Sequence, residues 1–247
     1  MLARILIAPT CALALAGSAA AADLPLGPPP PAAPIFAWGG FYLGGQIGYA
    51  WGADNSQLTV LSGPLGGGFL PPAYVSSAVS PAGAIGGVHI GHNWQVNQWV
   101  LGLEGEVDGT TLNKSIQPTS YLLSNTRSPV QGNIRGRIGI AFDHILVYAT
   151  GGGAYAAILN AYNVLGAQGN FRTTRSGWTV GGGVEYAVDN HWSVRAEYRY
   201  SDFGYFYDGP AVFPQVFESH HWTENQVKAG FSYKFGASAP AAIVAKN

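Results

Sequence analysis

The sequence predicts an all-β fold, an eight-stranded antiparallel up-and-down transmembrane β-barrel that follows an N-terminal signal peptide. The first observation is composition: only 10% of the 247 residues are charged and 47% are hydrophobic, whereas an average domain carries about 25% charged residues. The second is the alternation of apolar and polar residues in the last strand, and the third is the regular order of short and long connections. No run of roughly 18 apolar residues follows the N-terminal segment, so any membrane spans would be strands.

The last predicted strand, 222–235, shows the alternation most clearly. Apolar residues occupy every second position from Val227 to Phe235, and polar or small residues lie between them. Successive side chains of a strand point to opposite faces, so one face is apolar and the other carries Lys228 and Lys234. A strand of a soluble sandwich could show the same pattern. Two terminal aromatic residues and two lysines are more typical of a membrane strand, whose apolar face meets lipid.

The N-terminus has the features of a secretory signal peptide, residues 1–22. Arg4 provides a positive charge, residues 5–17 are mostly apolar, and Ala22 and Asp23 flank an A-x-A-type cleavage site. The alternative is a hydrophobic helix that stays attached. Cys11 lies inside this segment, so the mature chain is expected to contain no disulfide. Residues 23–38 are predicted to form a proline-rich periplasmic linker, followed by the barrel at 39–235 and a tail at 236–247.

Eight strands of alternating character follow the linker, and the facing of the fifth is left open. The predicted strands are 39–52, 83–95, 98–110, 130–142, 145–158, 174–188, 191–204 and 222–235.

The connections alternate strictly between long and short. Three short turns are predicted at 96–97, 143–144 and 189–190; the long connections are predicted as loops at 53–82, 111–129, 159–173 and 205–221. Short turns at one rim and long loops at the other are typical of outer-membrane barrels. Every proline falls outside the predicted strands, as a closed barrel without edges requires.

Nearly all charged residues of the predicted strands fall on the polar face, with acids and bases there in equal number. They are Glu104, Glu106, Asp108, Glu185, Glu197 and Glu224, with Arg135, Arg137, Arg195, Arg199, Lys228 and Lys234. The interior of an eight-stranded barrel is just wide enough for side chains to fill. We therefore predict a packed lumen with cross-strand ion pairs rather than a water-filled pore. The alternative, a soluble sheet with solvated charges, would expose apolar side chains over its whole outer surface.

The chain resembles the small outer-membrane β-barrel proteins of the alphaproteobacterial surface-antigen type, often labelled "porin family". The resemblance is carried by the residues around Asp23, the proline linker, Trp38-Gly39-Gly40-Phe41-Tyr42 and the aromatic end of the last strand. Lys228-x-Gly230-x-x-Tyr233-x-Phe235 is similar to the signal read by the barrel-assembly machinery. In the family the position of Phe235 is usually the last residue. Here residues 236–247 follow it, which implies internal reading of the signal or less efficient assembly.

The resemblance implies a structural or surface-antigen protein of the cell outer membrane without catalytic residues or cofactors. The expected partners are outer-membrane lipids, lipopolysaccharide and the barrel-assembly machinery, and association of barrels into a homo-oligomer is left open. Lys and Arg number 12 against 13 Asp and Glu, so no nucleic-acid partner is expected. The alternatives are a small-solute channel and a surface protein that binds a ligand such as haemin. Candidate residues for haemin are Tyr205, Phe206, Tyr207, His220 and His221.

Enzymatic and metal sites find little support in the sequence. The glycine triplets at 151–153 and 181–183 lack the Lys-Ser/Thr of a phosphate loop, and relief of crowding explains them better. His191-Trp192-Ser193 has the His-x-Ser spacing of a lipid A deacylase, but it lies at a short turn, far from outer-leaflet lipid A. His89 and His92 are predicted to face opposite sides of a strand, which prevents a shared metal.

Overall fold

The structure is a computed structural model that describes residues 36–65, 68–119, 122–164, 167–208 and 216–236. The predicted signal peptide with its cleavage site at Ala22 and Asp23, most of the linker and most of the tail lie outside these ranges. Within the described residues no helix is long and apolar enough to cross a membrane.

The described residues form eleven strands, of which eight are long. In chain order they are β1 (Gly40–Val60), β2 (Gly63–Leu65), β3 (Gly68–Leu70), β4 (Ala73–Val79), β5 (Ala82–Val96), β6 (Trp99–Thr119), β7 (Leu122–Phe142), β8 (Ile145–Val164), β9 (Ala167–Ala187), β10 (Trp192–Asp208) and β11 (Val216–Lys234).

The eight long strands form one antiparallel sheet that closes on itself. Each pairs with its neighbour in the chain, and β11 returns to pair with β1 from Tyr42↔Lys234 to Val60↔Val216. Closure pairs the backbone groups of both terminal strands, which is the condition for crossing hydrocarbon with strands. The predicted eight-stranded antiparallel barrel is therefore confirmed. The short β2 and β3 form a separate hairpin, and β4 pairs with the far end of β1.

The strands extend well beyond their predicted ends, so the predicted long loops are wrong in part. Segment 111–129 consists largely of the upper ends of β6 and β7, and segment 159–173 largely of β8 and β9. Likewise β10 and β11 enter segment 205–221 from both sides. The apolar–polar alternation stops where the outward face leaves lipid, while the backbone pairing continues above it.

Three prolines lie inside strands, contrary to the prediction. Pro64 is in β2, Pro118 in β6 and Pro129 in β7. The last two coincide with register shifts, between Ile116 and Thr119 and between Arg127 and Val130. A residue without an N–H is tolerated there because the ladder is already interrupted.

The three short turns are confirmed, and their residues suit them. Asn97 and Asp143 have φ values of 55° and 53°, a left-handed conformation that Asn and Asp adopt more readily than most residues. In the third turn, the N–H groups of His191 and Trp192 donate to the Asp189 carboxylate at 2.7 and 2.8 Å. These two hydrogen bonds hold the pKa of Asp189 below its usual range.

The outward face is apolar and is bounded by two girdles of exposed aromatic residues. The girdle beside the short turns comprises Phe41, Trp94, Trp99, Phe142, Tyr186, Trp192 and Phe235; the upper girdle comprises Tyr49, Trp51, Tyr155, Trp178 and Tyr198. Aromatic rings of this kind mark both interfaces of a bilayer. The stretch of β6 from Trp99 to Gly109 rises about 25 Å at a strand tilt of roughly 40°, which matches the apolar band of such barrels.

The facing of the fifth barrel strand, β8, is now settled. Leu146, Tyr148 and Thr150 are buried on the inner side, while Val147 and Tyr155 are exposed. The glycine triplets have a packing role: a Cβ on Gly152 would lie 2.1 Å from the Ile134 carbonyl oxygen, and one on Gly183 would lie 2.3 Å from that of Ala196.

Leu103→Arg tests whether the outward face meets hydrocarbon. Leu103 lies near mid-height of the apolar band and is 56% exposed. We expect the substitution to lower the free energy of unfolding by about 2–4 kcal/mol, since a cation near the bilayer midplane is costly. The measurement is urea-induced unfolding in lipid vesicles. The matched control is Leu123→Arg, 49% exposed above the upper girdle, for which a change within about 1 kcal/mol is expected. Equal costs at both positions would contradict the assigned band.

Candidate functional site

Ten charged side chains fill the lumen at the level of the membrane, and all are buried. They lie on five strands: Glu104, Glu106 and Asp108 on β6, Arg135 and Arg137 on β7, Glu185 on β9, Arg195, Glu197 and Arg199 on β10, and Lys228 on β11. Five are acids and five are bases, so the formal charge of the group is zero. We call this group the lumen network.

The register of the sheet brings opposite charges together on neighbouring strands. Glu104 lies opposite Arg135, and Glu197 lies opposite Lys228. Because inward positions repeat every second residue, an acidic strand beside a basic strand produces ladders of possible pairs.

Glu106 is the centre of the lumen network. Arg199 donates to both of its carboxylate oxygens, at 2.7 and 2.8 Å. Arg135 approaches it at 3.1 Å, and Lys228 also donates to it. The Asn133 amide adds a further bond at 3.2 Å. A paired charge with this many donors tolerates removal from water far better than an isolated one.

Arg135 connects the two sides of the lumen. It pairs with Glu104 on the adjacent strand and reaches Glu197 on β10 at 2.6 Å. Its guanidinium also donates to the Thr150 hydroxyl at 3.2 Å. The side chain thus links β7 to its neighbours β6 and β8 and, across the interior, to β10.

The remaining members complete the lumen network. Arg195 pairs with Glu104 at 2.6 Å, and Arg199 with Glu197 at 2.6 Å. Lys228 reaches Asp108 at 3.0 Å. Arg137 pairs with Glu185 at the end nearer the short turns.

Two of the twelve predicted ion-pair residues have other partners. Glu224 accepts hydrogen bonds from the Gln131 and Gln226 amides, both at 2.7 Å. Lys234 donates to the Ala37 carbonyl and lies 4.0 Å from the centroid of the Phe36 ring.

Residues 36–38, assigned to the linker from the sequence, pack inside the barrel at the turn side. Phe36 and Trp38 are 5% and 3% exposed, and their rings meet edge to face at 4.8 Å. The Trp38 indole donates to the Asp143 carbonyl at 3.0 Å. The two rings share an apolar cluster with Val100, Leu146, Tyr148 and Ala187. This cluster, the lower plug, closes the lumen below the lumen network.

A second apolar cluster closes the lumen above the lumen network. We call it the upper plug; its members are Ala154, Ala156, Ile158, Phe203, Phe206 and Trp222. His220 stacks on Phe206 at 4.9 Å and contacts the Asp54 carboxylate at 2.8 Å.

Neutral polar residues of the lumen were not singled out as site residues from the sequence. Tyr42 donates to Glu104 at 2.8 Å, and Gln46 donates to Asp108 at 2.7 Å. The His89 ring lies between Gln46 and Ser232. Their only sequence signal is position, since each occupies an inward place in an alternating strand.

His191 and Ser193, which have the His-x-Ser spacing, have separate contacts. The His191 ring stacks on Tyr233 at 5.6 Å. The Ser193 hydroxyl faces the lumen and donates to Glu185 at 2.5 Å.

The residues suggested for haemin lie on both faces of the sheet. Phe206 and His220 are buried inside, whereas Tyr205 and Tyr207 are exposed outside. His221 stacks on Tyr205 at 4.2 Å, also on the outer side. One planar ligand cannot contact both sets, so the suggested five-residue group is wrong as a single site.

The family match and the sequence relatives agree with the barrel geometry. The family described as "Outer membrane protein beta-barrel domain" matches residues 10–235. The 31 kDa outer-membrane immunogenic protein of Brucella melitensis is 34% identical over 258 residues, covering 94% of this chain and 100% of that protein. The 22 kDa outer membrane protein of Rhizobium leguminosarum is 30% identical over 208 residues, covering 83% and 82%. The crystal structure of OprG from Pseudomonas aeruginosa aligns with a TM-score of 0.44 at 14% identity, over 80% of this chain and 96% of that chain.

Arg135→Met tests the contribution of the lumen network to stability. Removing this cation leaves Glu104, Glu106 and Glu197 short of a partner in a buried site, so we expect a loss of about 3–5 kcal/mol. The measurement is urea-induced unfolding in vesicles. Arg172→Met removes an exposed arginine on β9 and should change stability by no more than about 1 kcal/mol. Equal stability of the two variants would show that the ion pairs contribute little.

Proposed function

This chain belongs to the family of outer membrane protein beta-barrel domains, and from that premise we propose that it is a structural, non-conducting barrel of the outer membrane. It maintains the envelope and displays the upper hairpins of its strands at the cell surface. The observation that supports the structural role over a channel is the filled lumen, with the lumen network between the lower and upper plugs.

The ion pairs argue against a passage for solutes. An ion entering the lumen would have to displace Arg135 or Arg199 from buried carboxylates, and breaking one buried pair costs about 3–5 kcal/mol. Several such pairs lie in series between the two plugs. The interior of an eight-stranded barrel is also just wide enough for side chains to fill.

Within the described residues, the charged groups of the lumen network are engaged with one another. Its carboxylates are paired with cations or amide donors, and the Ser193 hydroxyl donates to Glu185. The relatives named above are described as outer-membrane proteins rather than as enzymes. These observations support a non-enzymatic role.

Planar-bilayer recordings test the non-conducting proposal. We expect the refolded wild type to give no steady ion-sized openings. A variant with Glu106→Ala, Arg135→Ala, Arg199→Ala, Trp38→Ala, Phe206→Ala and Trp222→Ala should conduct, because these truncations open a path through the lower plug, the lumen network and the upper plug. Trp99→Ala, on the lipid side, is the matched control and should stay silent. Steady openings from the wild type would overturn the proposal.

We also propose that Lys228, Gly230, Tyr233 and Phe235 form the assembly signal. Two of the four already have a packing role: Lys228 belongs to the lumen network, and a Cβ on Gly230 would lie 2.8 Å from the Gly45 carbonyl oxygen. Tyr233 and Phe235 instead point outward, where their rings meet at 5.1 Å. Their position on the outer face leaves them available for recognition before the barrel closes.

Phe235→Ala separates recognition from anchoring. In cells we expect less of the heat-modifiable folded form than for the wild type, while refolding into detergent is unchanged. Phe41→Ala is the matched control, because Phe41 is exposed to nearly the same degree and its ring lies 5.9 Å from that of Phe235. An equal loss for both variants in cells would mean that the rings act only as interfacial anchors.

A further inference from the structure

Above the upper girdle, the outer face of the barrel carries a regular array of side chains that the proposed function does not use. Four neighbouring strands contribute two rows. The first is Ala78, Asn55, His221 and Tyr205; the second is Ser76, Gln57, Ser219 and Tyr207, each in the order β4, β1, β11, β10. We call this array the tyrosine grid.

The tyrosine grid forms a trough with a volume of about 570 Å³. Its tall edge is made by Tyr205 and Tyr207, which are 78% and 77% exposed. Its low edge is made by the small residues Ser76 and Ala78. Within the described residues, the pairing of β10 with β9 ends at Asp202↔Trp178. The tyrosines therefore lie beyond that ladder, and Tyr205 stacks on His221.

A β-bulge places the two tyrosines outside. The register of β10 against β11 shifts between Asp202 and Tyr205, where Gly204 has a φ of 67°. Without the shift, Phe203 and Tyr205 would face the same side. With it, Phe203 and Phe206 point inward and the tyrosines point outward. Bulges are frequent where a side chain must be re-aimed beside a binding site.

The height of the tyrosine grid indicates what surrounds it. Asn55 lies four residues beyond Trp51 of the upper girdle, which corresponds to about 10 Å along the membrane normal for a tilted strand. This level is above the hydrocarbon. In the outer leaflet it is occupied by the sugars of lipopolysaccharide, and a lipid tail there would leave the Asn55 and Gln57 amides without partners.

The chemistry of the trough favours an uncharged polyhydroxyl ligand. Its lining in the described chain contains amides, hydroxyls, phenols and one imidazole, and no Lys, Arg, Asp or Glu. Asp202 contacts His221 at 3.3 Å but does not line the trough. A phosphate or sugar acid would require cationic donors, whereas a neutral hexose presents an apolar face to a tyrosine ring and hydroxyls to amides.

We propose that the tyrosine grid binds neutral hexoses of the core oligosaccharide of neighbouring lipopolysaccharide. Tyr205 and Tyr207 stack on the sugar rings, and Asn55, Gln57 and Ser219 hydrogen-bond to their hydroxyls. The grid would thereby fix the orientation of the barrel in its glycolipid layer. Of the preceding conclusions, this inference uses only the outer-membrane location of the barrel. It does not depend on whether the lumen conducts.

The test compares refolded full-length barrels in detergent micelles, with binding to lipopolysaccharide measured by biolayer interferometry. The three probes are lipopolysaccharide with an intact core, deep-rough lipopolysaccharide without core hexoses, and the free core oligosaccharide. We expect the wild type to prefer the intact core, and the free core oligosaccharide to compete. Tyr205→Ala with Tyr207→Ala should weaken intact-core binding about ten-fold or more and leave deep-rough binding unchanged.

Two further variants keep the test decisive. Tyr186→Ala removes a tyrosine that is 51% exposed at the opposite rim and should bind like the wild type. Asn55→Ala with Gln57→Ala should reduce intact-core binding without removing a ring, and the heat-modifiable gel shift verifies folding of each variant. The proposal is overturned if the wild type binds deep-rough and intact-core lipopolysaccharide equally. It is also overturned if the folded double tyrosine variant binds the intact core like the wild type.

Discussion

Backbone hydrogen bonding inside hydrocarbon is the constraint on which the whole molecule depends. Lipid offers no partner for an N–H or C=O group, so a sheet that crosses it must have no edge. The pairing of β1 with β11 meets this requirement. Closing after eight strands then sets the width of the interior, and that width leaves room for inward side chains but for little else. The filled lumen follows from closure rather than from a separate feature of the sequence.

The lumen network is costly in desolvation, and its benefit is better described as specificity. Well-packed apolar residues can replace a buried ion pair without loss of stability. In a membrane barrel, however, apolar residues on both faces would make the two faces equivalent to lipid. A one-residue slip in pairing exchanges the faces of a strand, so placing Glu106 or Arg135 outward would put a charge into hydrocarbon. The charges therefore help to select one register and one facing for each strand.

The bilayer determined which parts of the fold could be predicted from the sequence. Within the apolar band, lipid requires every outward residue to be apolar, so strands, turns and the twelve inward charges were all visible as alternation. Above the band the outward face meets polar surroundings, and the continued pairing of β6 and β7 through 111–129 left no such pattern. Pro118 and Pro129 led to the prediction of loops. They fit into strands because the register shifts beside them, and the sequence does not reveal that shift. Phe36 and Trp38 lie at the end of a proline-rich segment, where no periodicity reveals burial.

The bulge in β10 shows why the outer face above the membrane is where specific binding can evolve in such a barrel. The choice of residues in the lumen is restricted, because each inward side chain must pack against its neighbours in a space whose width is fixed by the number of strands. The choice of residues on the outward face within the band is restricted as well, because that face must be apolar. Above the band neither condition applies, and a single inserted residue near Gly204 turns Tyr205 and Tyr207 outward and Phe206 inward. Tyr205 and Tyr207 are largely exposed at this level, and a ligand of the surrounding glycolipid layer would account for two rings held there.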